Sequence, residues 1–359
     1  MNRISRVGVD LAKNLIQVHG VNSVGATVSN RALSRDNFLI WCAKLPKECF
    51  IAIEASSSSH YWARKLVALG FDARIIAAQL VTPYRLQGKS GKNDTNDAAA
   101  ICEAAGRPQM WFIPIKTTDQ QSMLCVHRLR EGFKIERTAC INRIRGLLAE
   151  FGLVYARGTR VLSQALSEII EDASNELSGL TRRVIGQAKN QWVELDAHIL
   201  WCNSQILAHL KQDEQVRKAA QLMGVGPITA SAIVATVGDF ARFKNGAQFG
   251  AWLGLTPRQN SSGGKTTLGG ITKHGDMYVR MLLIQGARPA VVTAHRRDDP
   301  VSKWAHRLRE KSGWQKAVVA MANKNARILW AIFTSGKPFD AHHISTHPAS
   351  PPVSAMSIA

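Results

Sequence analysis

RVGVDLAKN, residues 6–14, is the stretch that decides the fold of the first third of the chain. Arg6 to Asp10 is a short apolar run ending on a carboxylate, the pattern of a buried strand with Asp10 at its end. A doubly wound nucleotide-binding domain would follow its first strand with a glycine-rich phosphate loop. Here DLAKN stands in that place, which argues against that fold.

Downstream, Leu15 to Val21 alternates through Ile16, Val18 and Val21, and with Ala26 to Leu33 it completes a three-stranded meander. Ser34 offers an N-cap for a helix that Pro46 ends. Cys49 to Ala55 reads as a buried strand, His60 to Leu69 as a helix stopped by Gly70, and Asp72 to Ala78 as another strand. Three strands, helix, strand, helix, strand, helix is the order of an RNase H-like domain, a mixed sheet with helices on both faces.

The last of those helices carries the chemistry. It lies in KSGKNDTNDAAAI, residues 89–101, where Asp94 and Asp97 stand three apart and therefore on one helix face, close enough to share a divalent cation. Asp10 and the Glu54 of FIAIEAS are delivered toward the same place by strands. Four converging carboxylates repel one another unless cations neutralise them, as in two-metal phosphoryl-transfer sites, so Mg2+ or Mn2+ is the expected cofactor.

The 359 residues suffice for two or three domains. Lys and Arg number 46 against 26 Asp and Glu, a net charge of +20, which predicts a polyanionic partner. No apolar run approaches the roughly 20 residues that span a bilayer, and no apolar stretch of a signal peptide follows Met1 to Val7. The six cysteines show no C-x-x-C pair or zinc spacing and read as reduced thiols of a cytosolic protein. Residues 223–359 carry 17 basic and 6 acidic side chains, making the last third the expected grip on a polyanion.

Thr118 to about Met223 is helical in pattern. Val184, Ala188, Trp192, Leu195, Ile199, Cys202 and Ile206 form a stripe that suits a long helix paired with Leu124–Phe151 as a hairpin or coiled coil, with Gly152 to Gly158 as the turn. In MGVGPITASAIVATVGD, residues 223–239, Gly224 and Gly226 before Pro227 resemble the hairpin of a helix-hairpin-helix element, in which backbone approaches a phosphate at a helix N-terminus. Residues 250–288 read as a glycine- and serine-rich loop with basic flanks, holding Ser261, Ser262, Arg258, Lys265, Lys273, His274, Arg280 and Arg288 between apolar helical segments. Trp314 to Phe333 is an amphipathic helix. The tail from Pro338 reads as disordered, and its His342, His343 and His347 lack the Cys or carboxylate partners of a metal site.

Five blocks together resemble one family: GVDLAK, IAIEAS, KNDTNDAAAI, MGVGPITASAIVATVGD, and GAWLGLTPRQNSSGGK followed by GITKHGDMYVRMLL. They occur in the order found in the DNA transposases of the insertion-sequence family numbered one hundred and ten, especially its eleven-eleven subgroup, and the likeness spans residues 5–335. The resemblance implies a RuvC-like domain whose catalytic, metal-binding quartet is Asp10, Glu54, Asp94 and Asp97, and a transposase domain with Ser262 as nucleophile. It also implies donor and target DNA as substrates, a structured guide RNA encoded by the element, a dimer or tetramer in which the quartet of one subunit faces the serine of another, and a bacterial, nucleoid-associated location. Gly224, Gly226, Arg258, Lys265, Lys273 and Arg280 are the expected nucleic-acid contacts. The family's frequent EATG block is replaced here by Ser56 to Ser59 after Glu54 and Ala55.

The expected division is a catalytic domain over 1–112, a helical coiled-coil and dimerisation region over 113–220, a helical transposase domain over 221–337, and a tail over 338–359. Two other functions share these features: a structure-specific, Holliday-junction type of nuclease with water as nucleophile, and a non-catalytic nucleic-acid-binding protein. A complete acidic quartet argues against the second.

Overall fold

The computed structural model describes residues 3–85, 94–155, 158–263, 265–337 and 339–343. Lys89 to Asn93 of the acidic stretch, Gly264 and His347 therefore lie outside the described residues. The chain divides into two compact units, Met1–Gln121 and Ser122–Ala359. The first is a mixed α/β domain, and the second is helical apart from one hairpin.

In the first unit β1 (Arg6–Leu11), β2 (Leu15–Val21) and β3 (Thr27–Ser34) form an antiparallel meander. The chain then passes through α1 (Arg35–Ala43), β4 (Phe50–Glu54), α2 (Ser59–Ala68), β5 (Asp72–Ile76), a short α3 (Ala78–Val81), a 3-10 turn (Thr82–Tyr84), α4 (Asp94–Ala105) and β6 (Phe112–Ile113). The sheet order is β3-β2-β1-β4-β5-β6, with β4 parallel to β1 and β5, and β6 antiparallel at the edge. Ser34 caps α1 as expected, its side chain accepting from the Asn37 amide. The two-residue β6 and the α3 turn carry too little pattern for the sequence to announce them.

Alternating side chains give the sheet two apolar faces. Val7, Val9, Ile16, Ile51, Ile53 and Ile75 pack with Phe38 and Trp62, while Ala52 and Ile76 pack under Ile101 and Ala104 of α4. Gly8 makes that second packing possible. A Cβ there would run into the Ala98 carbonyl and the Cys102 amide, so only glycine lets α4 lie this close to β1.

The second unit holds α5 (Thr118–Ala149, beginning in the first unit), α6 (Thr159–Glu171), α7 (Gly179–Gln212), α8 (Glu214–Ala220), α9 (Pro227–Val237) and α10 (Gly246–Trp252). These are followed by the antiparallel hairpin β7 (Pro257–Ser262) and β8 (Lys265–Ile271), then α11 (Met277–Thr293), a 3-10 turn, α12 (Pro300–Ser312) and α13 (Trp314–Thr334).

Three expectations change here. The turn beginning at Gly152 leads into α6 rather than directly into the partner of α5, and Leu162, Leu166 and Ile169 of α6 share a core with Ile144 and Leu148 of α5 and with Trp192 and Leu195 of α7. In α7 the stripe begins at the buried Ile185, while Val184 faces solvent. The glycine- and serine-rich stretch is a β-hairpin rather than a loop. Among the described residues no helix is long and apolar enough to cross a membrane.

Candidate active site

Asp10 and Glu54 reach the site on neighbouring parallel strands. Val9 pairs with Ile53, so the two carboxylates come one step further along β1 and β4. Asp94 and Asp97 descend from the first turn of α4, which the Gly8 contact holds against β1. Glu54 and Asp97 are almost fully buried, at 7% and 6% exposure, whereas Asp94 is exposed. Burial, followed by the charges of Asp97, Glu54 and Asp94, pushes the Asp10 carboxyl up to about 6, against the opposing pull of a hydrogen bond from the Leu11 backbone. The charges of all three other carboxylates therefore reach Asp10, so the fold places the expected quartet in one neighbourhood.

Sequence reasoning missed the cation in this cluster. Arg85 follows the 3-10 turn, and its guanidinium donates to both Glu54 oxygens at 2.9 and 3.0 Å. Its Nε lies 2.7 Å from Asp97 Oδ1. That last contact is an ion pair without hydrogen-bond geometry, since the Nε hydrogen finds no aligned acceptor. The donor set is oxygen-only and crowded with negative charge, which fits a hard divalent cation such as Mg2+ or Mn2+. As the side chains stand, however, no three His, Cys, Asp or Glu among the described residues are gathered closely enough to hold one.

In the second unit, Ser261 and Ser262 end β7, with Ser262 paired to Lys265 across a turn in which Gly263 takes φ +55°. Successive strand residues point to opposite faces, so the two hydroxyls are not equivalent. Ser261 Oγ accepts from Gln259 at 2.8 Å and lies 3.3 Å from Thr266 Oγ1. Among the described residues the Ser262 hydroxyl has no hydrogen-bond partner. Arg258 and Lys265 are exposed on the same hairpin. Lys273 is exposed on the way into α11, with its backbone at φ +57° and its amide bonded to the Gly254 carbonyl.

Gly226 is exposed at the N-cap of α9, with Pro227 in the first turn. Gly224 serves packing. At φ +83°, a Cβ would press on the Gly286 carbonyl, which places its backbone against α11. Arg280 is buried at 8% exposure and donates to the Leu253 carbonyl at 3.1 Å. In this structure it ties α11 to the end of α10 and does not face solvent, unlike the other expected cationic contacts.

A buried polar chain also escaped the sequence reading. Ser231 of α9 sits between His127 Nε2 at 2.9 Å and His209 Nδ1 at 2.8 Å, and His127 Nδ1 meets the Tyr278 hydroxyl at 3.1 Å. It joins α5, α7, α9 and α11. Such positions could have been suspected only as polar breaks in apolar helix faces.

Comparisons with known proteins bear on both units. Residues 7–152 match a family profile described as a transposase of the DEDD, IS110 type, and residues 216–302 match one described as the transposase IS116/IS110/IS902 family. A "Probable family 20 transposase" of Pseudomonas aeruginosa is 43% identical over 92% of this chain and 97% of its own. The transposase for insertion sequence element IS1111A of Coxiella burnetii is 37% identical over 93% of this chain and 91% of its own. That for IS1328 of Yersinia enterocolitica is 34% identical over 94% and 99% respectively.

Proposed function

The chain belongs to the IS116/IS110/IS902 family of transposases, enzymes that cleave and join DNA, and on that premise we propose that it does so through a covalent Ser262–DNA intermediate formed with the help of the carboxylate cluster. The observation that carries this reading is the Ser262 hydroxyl, unpartnered among the described residues at the exposed end of β7 between Arg258 and Lys265, while its neighbour Ser261 is held by hydrogen bonds.

In the proposed step Ser262 Oγ attacks phosphorus. The Oγ–P bond forms, the bond from phosphorus to the 3′ oxygen breaks, and the proton lost from Oγ ends on that oxygen. The phosphodiester's energy is kept in the serine ester, so a 3′ hydroxyl rejoins the strand by the reverse step without ATP, in keeping with a sequence that has no Walker motif. Arg258 and Lys265 hold the phosphate. A Mg2+ or Mn2+ ion held by Asp10, Glu54, Asp94 and Asp97 would supply positive charge for the phosphate oxygens.

The sheet order of the first unit supports an RNase H-like, RuvC-like domain. The shared core of α5 and α7 supports a helical stalk. Val193, Leu200 and Leu207, seven residues apart and exposed on α7, support assembly of a dimer or tetramer through that stalk. A guide RNA belongs to the proposal on the family resemblance.

A strand-cleavage assay separates this reading from a water-using nuclease. With Mg2+ present, both Asp10→Asn and Ser262→Ala should lose cleavage while still binding DNA. Full cleavage by Ser262→Ala would favour the nuclease.

A further inference from the structure

The site's metal chemistry faces an obstacle that the structure makes explicit: Arg85 already holds the carboxylates. Its guanidinium engages both oxygens of Glu54 and one oxygen of Asp97, the two buried members of the quartet. A divalent ion would draw on the same carboxylate oxygens, and its charge and that of the guanidinium would repel each other at such short range. Among the described residues no three carboxylates converge as a ready cage. Arg85 itself is about a third exposed, at 32% for its side chain, so it reaches in from the mouth of the cluster rather than from the core.

Building on the reading of the quartet as a metal site, we infer that Arg85 is a resident counter-cation that positions Glu54 and Asp97 until a divalent ion replaces it, and that DNA drives the exchange. Removing Arg85 without a substitute would leave two buried carboxylates unpaired, so the metal-free protein needs it. A phosphate offers the released guanidinium a planar, bidentate acceptor of the kind it gives up. Metal and DNA then bind with positive coupling, because each favours the state in which Arg85 has left the carboxylates. The device keeps the cluster neutralised but unloaded until substrate arrives.

The test measures Mn2+ affinity, by paramagnetic resonance of free Mn2+ and by calorimetry, for the full-length protein with and without a DNA duplex. Wild type should bind Mn2+ weakly alone and about tenfold more tightly with DNA. Arg85→Ala should bind Mn2+ about tenfold more tightly than wild type without DNA and gain little from adding it. Arg85→Lys, which keeps a charge but loses the planar fork, should fall between the two and guards against misfolding of the alanine variant. Its circular dichroism should match wild type. Unchanged Mn2+ affinity in folded Arg85→Ala and Arg85→Lys, or equal DNA coupling in all three proteins, overturns the inference. A different result, in which neither wild type nor Arg85→Ala binds Mn2+ and Asp10→Asn changes nothing, overturns the metal-site reading beneath it.

Discussion

Gly8 of β1 lies directly under Ala98 of α4, so close that a side chain on Gly8 would overlap the Ala98 carbonyl oxygen. The contact sets how near Asp97, one residue before Ala98, can come to Asp10, two residues beyond Gly8. A backbone approach therefore positions the acidic cluster as much as its own charges do.

Gly8→Ala should lift α4 from the sheet. Overpacking of this kind costs about 1–3 kcal/mol, and the displaced Asp97 should reduce strand cleavage far more than it reduces DNA binding. Urea unfolding alongside a cleavage assay checks both effects. Wild-type cleavage in Gly8→Ala would mean that α4 can move away without disturbing the site.

His127 gives the second unit a defined acid limit. Burial, with smaller contributions from Arg130 and His209, lowers its pKa from 6.5 to about 4. Around it stand Tyr278 of α11, Ser231 of α9, His209 of α7 and Arg130 of its own helix. The unfolded chain thus binds the proton more readily, and between about pH 6.5 and 4 stability should fall as pH falls, by on the order of 3 kcal/mol over the whole window. Thermal unfolding at pH 7 and pH 5 should show this loss, and His127→Gln should be less stable at pH 7 but flatter with pH. An unchanged pH slope in that variant would place the acid sensitivity elsewhere.

Arg258 and Lys265 should contribute affinity through phosphates, without regard to sequence. Each phosphate contact adds about 0.9 to the slope of log affinity against log salt on duplex DNA. Arg258→Ala with Lys265→Ala should therefore flatten that slope by nearly 2. A full wild-type slope in the double variant would remove the hairpin from the DNA grip.

Much of the first unit was legible because its strands alternate or run apolar and its helices begin and end on clear signals, such as Ser34 and Gly70. The placement of the four carboxylates was legible for the same reason, since each lies at or near the end of such an element. Arg85 was not, because a single arginine after Tyr84 carries no pattern and its partners lie 31 and 12 residues away in sequence. The hairpin was hidden because every residue from Pro257 to Gly270 that the structure describes is exposed, so neither face shows the alternation that marks a half-buried strand. α6 merged with its neighbours in one long helical pattern. Arg280 looked like a surface cation because its acceptor is a backbone carbonyl 27 residues upstream. In the turn after Glu54, Ser58 takes the left-handed conformation at φ +69°, one residue beyond the position at which the family's block has its glycine.

A covalent bond between Ser262 and DNA is detected by mass-spectrometric mapping of the protein–DNA adduct. The protein is reacted with end-labelled DNA and Mg2+, denatured, digested with protease and nuclease, and the modified peptide is sequenced. A 5′-phosphonucleotide on Ser262, absent from Ser262→Ala and retained in part by Ser261→Ala, is the predicted result. An adduct on Ser261, or cleavage that leaves a free 5′-phosphate with no peptide attached, would contradict it.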